Sequence, residues 1–171
     1  MTHMVIVRLE RPEDASQIRD LNELAFGQPA EADLVDALRK VCPDALCLVA
    51  EDGGVIVGHI LFTPVVVEGR LTGMGLAPMA VQPDRQRQGI GSHLVRRGLA
   101  TLRERSCPFV VVVGYPEYYG RFGFEPASKH GLLSQWEGIP DPAFMTLVLD
   151  ADAMAGASGV ARYRDEFNDV T

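Results

Sequence analysis

The segment Gln86-Arg87-Gln88-Gly89-Ile90-Gly91-Ser92 constrains this chain more than any other. It joins an extended apolar stretch, residues 76–81, to an amphipathic helical stretch, residues 90–105, and a β-branched run follows at 109–113. Strand, helix and strand at this spacing make a crossover, and a crossover of this length joins parallel neighbours. Two glycines stand at the helix start. The first N–H groups of a helix have no partner inside it, and glycine leaves them unshielded. Aligned peptide dipoles add partial positive charge there, so a phosphate or pyrophosphate can dock without a dedicated lysine.

Around the crossover the chain reads as strand, two helices, three meander strands, helix, strand, helix, strand. Residues 4–9 form the first strand, ended by Glu10-Arg11-Pro12. Pro12 with Glu13 and Asp14 marks a helix start, since proline fits the first turn and acids favour the dipole. Ile18, Leu21 and Leu24-Ala25 give that helix its apolar stripe, and Gly27 and Pro29 break it. A second helix over 30–41 carries Leu34, Val35 and Leu38 on one side. Strands at 46–51 and 55–67 are joined by Asp52-Gly53-Gly54, a hairpin signal, and a further strand runs towards Val81 after Gly69-Arg70. A short helical piece at 117–122 and a strand at 143–149 complete the pattern. Strands mixed with separated helices indicate an α+β fold with a mixed sheet. A length of 171 residues suits one domain, residues 1–150, with 151–171 as an extension of it whose order is left open.

Composition excludes several function classes. No apolar run reaches transmembrane length, and charge enters too early in residues 1–14 for a secretory leader, so the expected location is cytoplasmic and no membrane partner is expected. The three cysteines form no CxxC pair and read as plain buried thiols. His3, His59, His93 and His130 are scattered, so no metal site is expected. A net charge of −7 disfavours nucleic acid, although Arg85, Arg87, Arg96 and Arg97 run against that background beside the anion site. A P-loop needs a lysine after its second glycine, and none is present. A dinucleotide fingerprint needs a third glycine where Leu94 stands, and an acid where the next strand ends in Gly114-Tyr115.

Pro78 adds a second clue. Proline cannot donate to a strand ladder, so it belongs at an edge, a bulge or a splayed strand. A strand splayed there leaves backbone groups of Met79, Ala80 and Val81 to pair with an extended ligand. An amide-bearing arm carrying a pyrophosphate satisfies both places, and coenzyme A is such a molecule.

On these residues the chain resembles the GNAT superfamily of N-acetyltransferases. The family's (Arg/Gln)-x-x-Gly-x-(Gly/Ala) motif falls on Gln86, Gly89 and Gly91, and its Tyr-x-x-x-Gly-Phe signature on Tyr119, Gly123 and Phe124. The order of elements agrees over residues 4–149. The chain is most similar to a bacterial subgroup marked by Gly-x-Pro-x-Tyr-Tyr-Gly-Arg-Phe-Gly-Phe, here 114–124, and by Val57-Gly-His-Ile; Tyr115 stands where that subgroup often has Asp.

The resemblance implies a GNAT-like fold and acetyl-CoA as co-substrate, without a metal. It implies direct transfer to an amine on a small molecule or a protein, with no acyl-enzyme. The cofactor residues it implies are Met79, Ala80, Val81, Gln86, Arg87, Gln88, Gly89, Ile90, Gly91 and Ser92. Tyr119 falls at the position of the general acid that protonates the leaving sulfur, and a backbone N–H within 79–81 at that of the oxyanion donor. The general base stays open. Many relatives carry a glutamate on the strand before the glycine motif, whereas residues 70–81 hold no acid. His59, Glu23, Glu31, Glu117 and a water relay all remain. A non-catalytic acyl-CoA-binding or sensing module is the second reading, and residues 144–149 with the tail are a candidate homodimer surface.

Overall fold

Local rules set the first elements. The structure, a computed structural model, describes residues 4–169; His3 and the end of the tail, residues 170–171, lie outside them. Strand β1 (Ile6–Leu9) gives way to a 3-10 turn, Pro12–Asp14, and helix α1 runs Ala15–Phe26. The helix therefore begins later than Pro12 suggests. The Asp14 carboxylate accepts from the Arg11 backbone N–H and from the Arg8 guanidinium, both at 2.7 Å, and so closes the preceding turn. Gly27, at φ 70°, ends α1 in the left-handed conformation that glycine adopts without strain. Helix α2 (Ala30–Val41) packs on α1, and Arg19 joins the pair through Asp33 at 2.8 Å and Asp36 at 2.7 Å. Leu24 is a correction: it is 59% exposed, and Asn22 takes its expected place in the buried face beside Ile18 and Leu21. At about 100° per residue Leu24 falls off the side of that face.

The described residues fall into two compact units, and strands β3 (Val55–Val67) and β4 (Leu71–Val81) each contribute to both. The first unit holds residues up to Phe62, then Ala77–Ala100, and then the segment from Asp165. In it β1 pairs with β2 (Leu46–Asp52), and β2 with β3, both antiparallel. Helix α3 (Ile90–Glu104) lies directly on β3. A Cβ on Gly58 would stand 2.9 Å from Ile90 Cγ2 and 3.0 Å from Leu94 Cδ1, and Gly98 has no room for one against the Phe62 ring. These glycines permit the close approach of helix and strand.

The second unit, Thr63–Leu76 with Thr101–Arg164, holds the parallel pair expected of the crossover. Strand β4 meets β5 (Phe109–Val113) at Met74↔Val110 and Gly75↔Val111. Helix α4 (Pro116–Tyr119) and the 3-10 turn Gly120–Phe122 replace the single helical piece expected at 117–122. Strand β8 (Phe144–Val148) pairs along its length with β5 and, at Met145 and Thr146, with the two-residue strand β6 (Glu125–Pro126). Residues 144–147 are buried, so β8 is an interior strand and offers little of itself as a homodimer edge.

The tail, left open by the sequence, is structured over its described length. Helix α5 (Ala151–Met154) is capped by the Asp150 carboxylate, which accepts from the N–H groups of Asp152 and Ala153. Strand β9 (Gly159–Arg162) pairs antiparallel with β3 and parallel with β7 (Leu132–Ser134). Among the described residues, nine strands form one mixed sheet in the order β1-β2-β3-β4-β5-β8-β6, with β9 beside β3 and β7. No helix there is long and apolar enough to cross a membrane.

Candidate active site

Ten of the eleven sequence-assigned site residues form one continuous stretch of the first unit. Met79, Ala80 and Val81 end β4, after a cis peptide bond at Ala77-Pro78. A 3-10 turn, Pro83–Arg85, leads into Gln86, Arg87, Gln88 and Gly89, all four exposed. Ile90, Gly91 and Ser92 form the first turn of α3, with Ile90 buried against the sheet. Arg87 at φ 63° and Gly89 at φ 86° are both left-handed, and the space where a Cβ on Gly89 would stand is open. The His93 N–H donates to the Gly89 carbonyl at 3.0 Å, so Gly89 is the residue from which the helical ladder starts.

Side chains brace this loop from behind. The Gln86 amide donates to the Val81 carbonyl at 3.2 Å, tying the loop back to the strand. Arg85 pairs with Asp52 of the β2–β3 hairpin at 3.0 Å, and its Nε donates to Gln88 at 3.4 Å. Arg85 therefore has a structural occupation, while Arg87 stays exposed on the loop. The Gln82 N–H donates to the Val57 carbonyl at 2.9 Å, fixing the end of β4 against β3. Neither Asp52 nor Val57 is signalled by the glycine motif, because both reach the loop from a distant hairpin.

Tyr119, the eleventh residue, closes α4 in the second unit. It is 8% exposed, with ring centroids of Tyr118 at 4.9 Å and Phe124 at 5.8 Å, and its ring fills the space above Gly114. Burial, with a smaller effect from Tyr118, holds the phenol well above the usual tyrosine range. A phenol so placed keeps its proton at neutral pH. Tyr118 carries the Arg121 guanidinium 4.6 Å above its ring.

The base candidates fare differently. His59 is fully buried on β3 and pushed down to about 3, first by burial and then by the charge of Arg39. The Asn22 amide lies 3.2 Å from Nδ1, and Nε2 is buried without a hydrogen-bond partner. A histidine so enclosed cannot exchange protons with a substrate. Glu23 pairs with Arg19 at 2.9 Å and Glu31 accepts from Gln28, both on the helical pair, while Glu117 is exposed on α4.

A family model described as an acetyltransferase (GNAT) domain matches residues 7–127, which include every residue placed above. The uncharacterized N-acetyltransferase YhbS of Escherichia coli (strain K12) is 40% identical over 166 residues, 96% of this chain and 99% of that protein. The chain belongs to the GNAT acetyltransferase family. It thus falls in an acyltransferase class, and the nine-stranded mixed sheet with flanking helices is the GNAT fold. The crystal structure of the E. coli YhbS GNAT protein in complex with CoA matches with a TM-score of 0.92 and 38% identity, covering 98% of this chain and 94% of that one. A GNAT acetyltransferase from Brucella melitensis in complex with acetyl-CoA matches with a TM-score of 0.80 and 36% identity, covering 97% and 99%.

Proposed function

We propose that this GNAT chain transfers an acetyl group from acetyl-CoA directly to an amine, with residues 86–92 holding the pyrophosphate and Tyr119 acting as the acid. One observation carries the cofactor half of the reading. An exposed loop with left-handed steps at Arg87 and Gly89 delivers an unshielded backbone into the N-terminus of a 15-residue helix. That donor set suits an anion, because unpaired N–H groups and the helix dipole act together. The CoA and acetyl-CoA complexes of the two similar structures support it.

Acetyl-CoA, when bound, supplies the acyl group as a thioester. Backbone N–H groups within Met79, Ala80 and Val81 are the donors at the end of β4 suited to a carbonyl oxygen. The Tyr119 phenol holds its proton through neutral pH and gives it to the departing sulfur. Residues 70–81 carry no acid and His59 is fully buried, which favours loss of the amine proton to water, with Glu117, exposed on α4, as the side-chain alternative. The acceptor is an amine of a small molecule or a protein.

The test is thiol release from acetyl-CoA with a panel of a polyamine, free lysine and peptides with unblocked N-termini. Turnover on at least one amine, reduced in Tyr119→Phe with the KM for acetyl-CoA unchanged, is the expected result. Tight CoA binding with no turnover on any of them would instead mark a non-catalytic acyl-CoA-binding module.

A further inference from the structure

The loop that enters α3 contains a strained step, and a carboxylate from another part of the chain braces it. Arg87 has φ 63°, a left-handed conformation that a residue with a side chain keeps only where its surroundings hold it. The bonds from Gln86 to the Val81 carbonyl at 3.2 Å and from Gln88 to the Asp84 carbonyl at 3.4 Å stay within residues 81–88 and move with the loop. Asp52 reaches it from outside. Its carboxylate meets Arg85 Nη1 at 3.0 Å, with the acid side chain only 9% exposed, and Arg85 Nε donates onward to Gln88 Oε1 at 3.4 Å. Arg85 and Gln88 stand on either side of the Gln86-Arg87 step, so the ion pair grips that step from both ends.

The hairpin that presents Asp52 is itself stiff. Asp52 and Val55 close the β2–β3 ladder across a two-residue turn, with Gly53 at φ 58° and Gly54 at φ 88° as such a turn requires. Further along β3 the register shifts: Ala50 faces Gly58 while Glu51 faces Ile56, so Val57 lies outside the pairing with β2. The Val57 carbonyl accepts from the Gln82 N–H at 2.9 Å. One hairpin therefore holds both sides of the Pro83–Arg85 turn, Gln82 by its backbone and Arg85 by its charge. Asp52 opposes an anion by its own charge, so any help it gives the cofactor comes through geometry.

We propose that Asp52 is a positioning residue for the cofactor: its ion pair with Arg85 holds residues 86–89 in the path that presents the first N–H groups of α3 to the pyrophosphate. This rests on the reading of residues 86–92 as the pyrophosphate seat. The test is calorimetric titration of CoA into the full chain at neutral pH and low salt. Charge alone makes Asp52→Ala bind CoA more tightly, because a negative group near the anion is lost. Positioning has the opposite sign, with affinity about 5-fold weaker in Asp52→Ala. Asp52→Asn, which disturbs the hairpin least, should bind weaker by about 2-fold or more with the wild-type urea midpoint. On an Arg85→Gln background, Asp52→Ala should weaken binding by less than about 2-fold, since the partner it acts through is gone. Affinity unchanged or tighter in both Asp52 variants, or a loss that persists in full without Arg85, would overturn the proposal. Gly91→Val titrated alongside separates the two readings. Weaker binding there with none in the Asp52 variants overturns the positioning role alone, whereas wild-type affinity in Gly91→Val overturns the seat and this proposal with it.

Discussion

Tyr119 and His59 are both buried titratable groups, and burial sends them in opposite directions. Burial disfavours the charged form of each, so the phenol rises and the imidazole falls. For Tyr119 the acid form therefore persists into alkaline solution. We expect Tyr119→Phe to lower kcat by about 10- to 100-fold, with no alkaline limb from Tyr119 below about pH 10 in the wild type. A wild-type profile that falls through pH 8–9 and flattens in Tyr119→Phe would contradict this. For His59 the folded value is about 3 against an ordinary 6.5, so the unfolded chain binds the proton first. The stability it contributes is whole above pH 6.5 and is lost as pH falls towards 3, up to roughly 5 kcal/mol in all. Urea unfolding at pH 7 and pH 4.5 should show wild type losing about 2.5 kcal/mol more than His59→Gln across that interval. An equal loss in both proteins would contradict the linkage. Positions set by local rules were legible in the sequence: Gly89 and Gly91 stand at a helix start, as the glycine spacing implies. Asn22, Asp52 and Tyr163 were not, because each meets its partner across a long stretch of chain and no spacing rule joins them.

At the scale of elements, the site depends on how closely α3 lies on β3. Gly58 and Gly98 set that distance by lacking side chains where Ile90, Leu94 and the Phe62 ring stand. Gly58→Val should overpack this contact, lower stability by about 1–3 kcal/mol, and displace the first turn of α3, which carries Ile90 and Gly91. Denaturant unfolding and CoA titration should both register it; a variant unchanged in both would show that the contact yields without cost. The longer elements were readable because periodicity or a strong turn marked them: α2, the β2–β3 hairpin at Asp52-Gly53-Gly54, and the parallel β4–β5 pair implied by the crossover. Strands β6, β7 and β9 span two, three and four residues. Segments so short carry no measurable alternation, and their pairing comes from the sheet they join.

For the whole molecule, the tail proves to be part of the sheet. Strand β9 pairs with both β3 and β7, and Tyr163 follows it into the core beneath Gly75. A chain ending at Ala157 should melt several degrees lower and associate through the uncovered strand edges; an unchanged melting temperature would show the extension to be dispensable. The tail was opaque in the sequence because its Ala- and Gly-rich composition lacks a periodic apolar face, whereas the helix–strand crossover was plain from the start. That crossover also carries the central claim, that the glycine loop entering α3 is the seat of the cofactor pyrophosphate. Calorimetric titration of CoA into the wild type and into Gly91→Val tests it most directly. Affinity at least about 10-fold weaker in the variant, with the same circular dichroism spectrum, is the expected result, because a valine shields the N–H groups at the helix start. Equal affinity in the two proteins would place the pyrophosphate elsewhere.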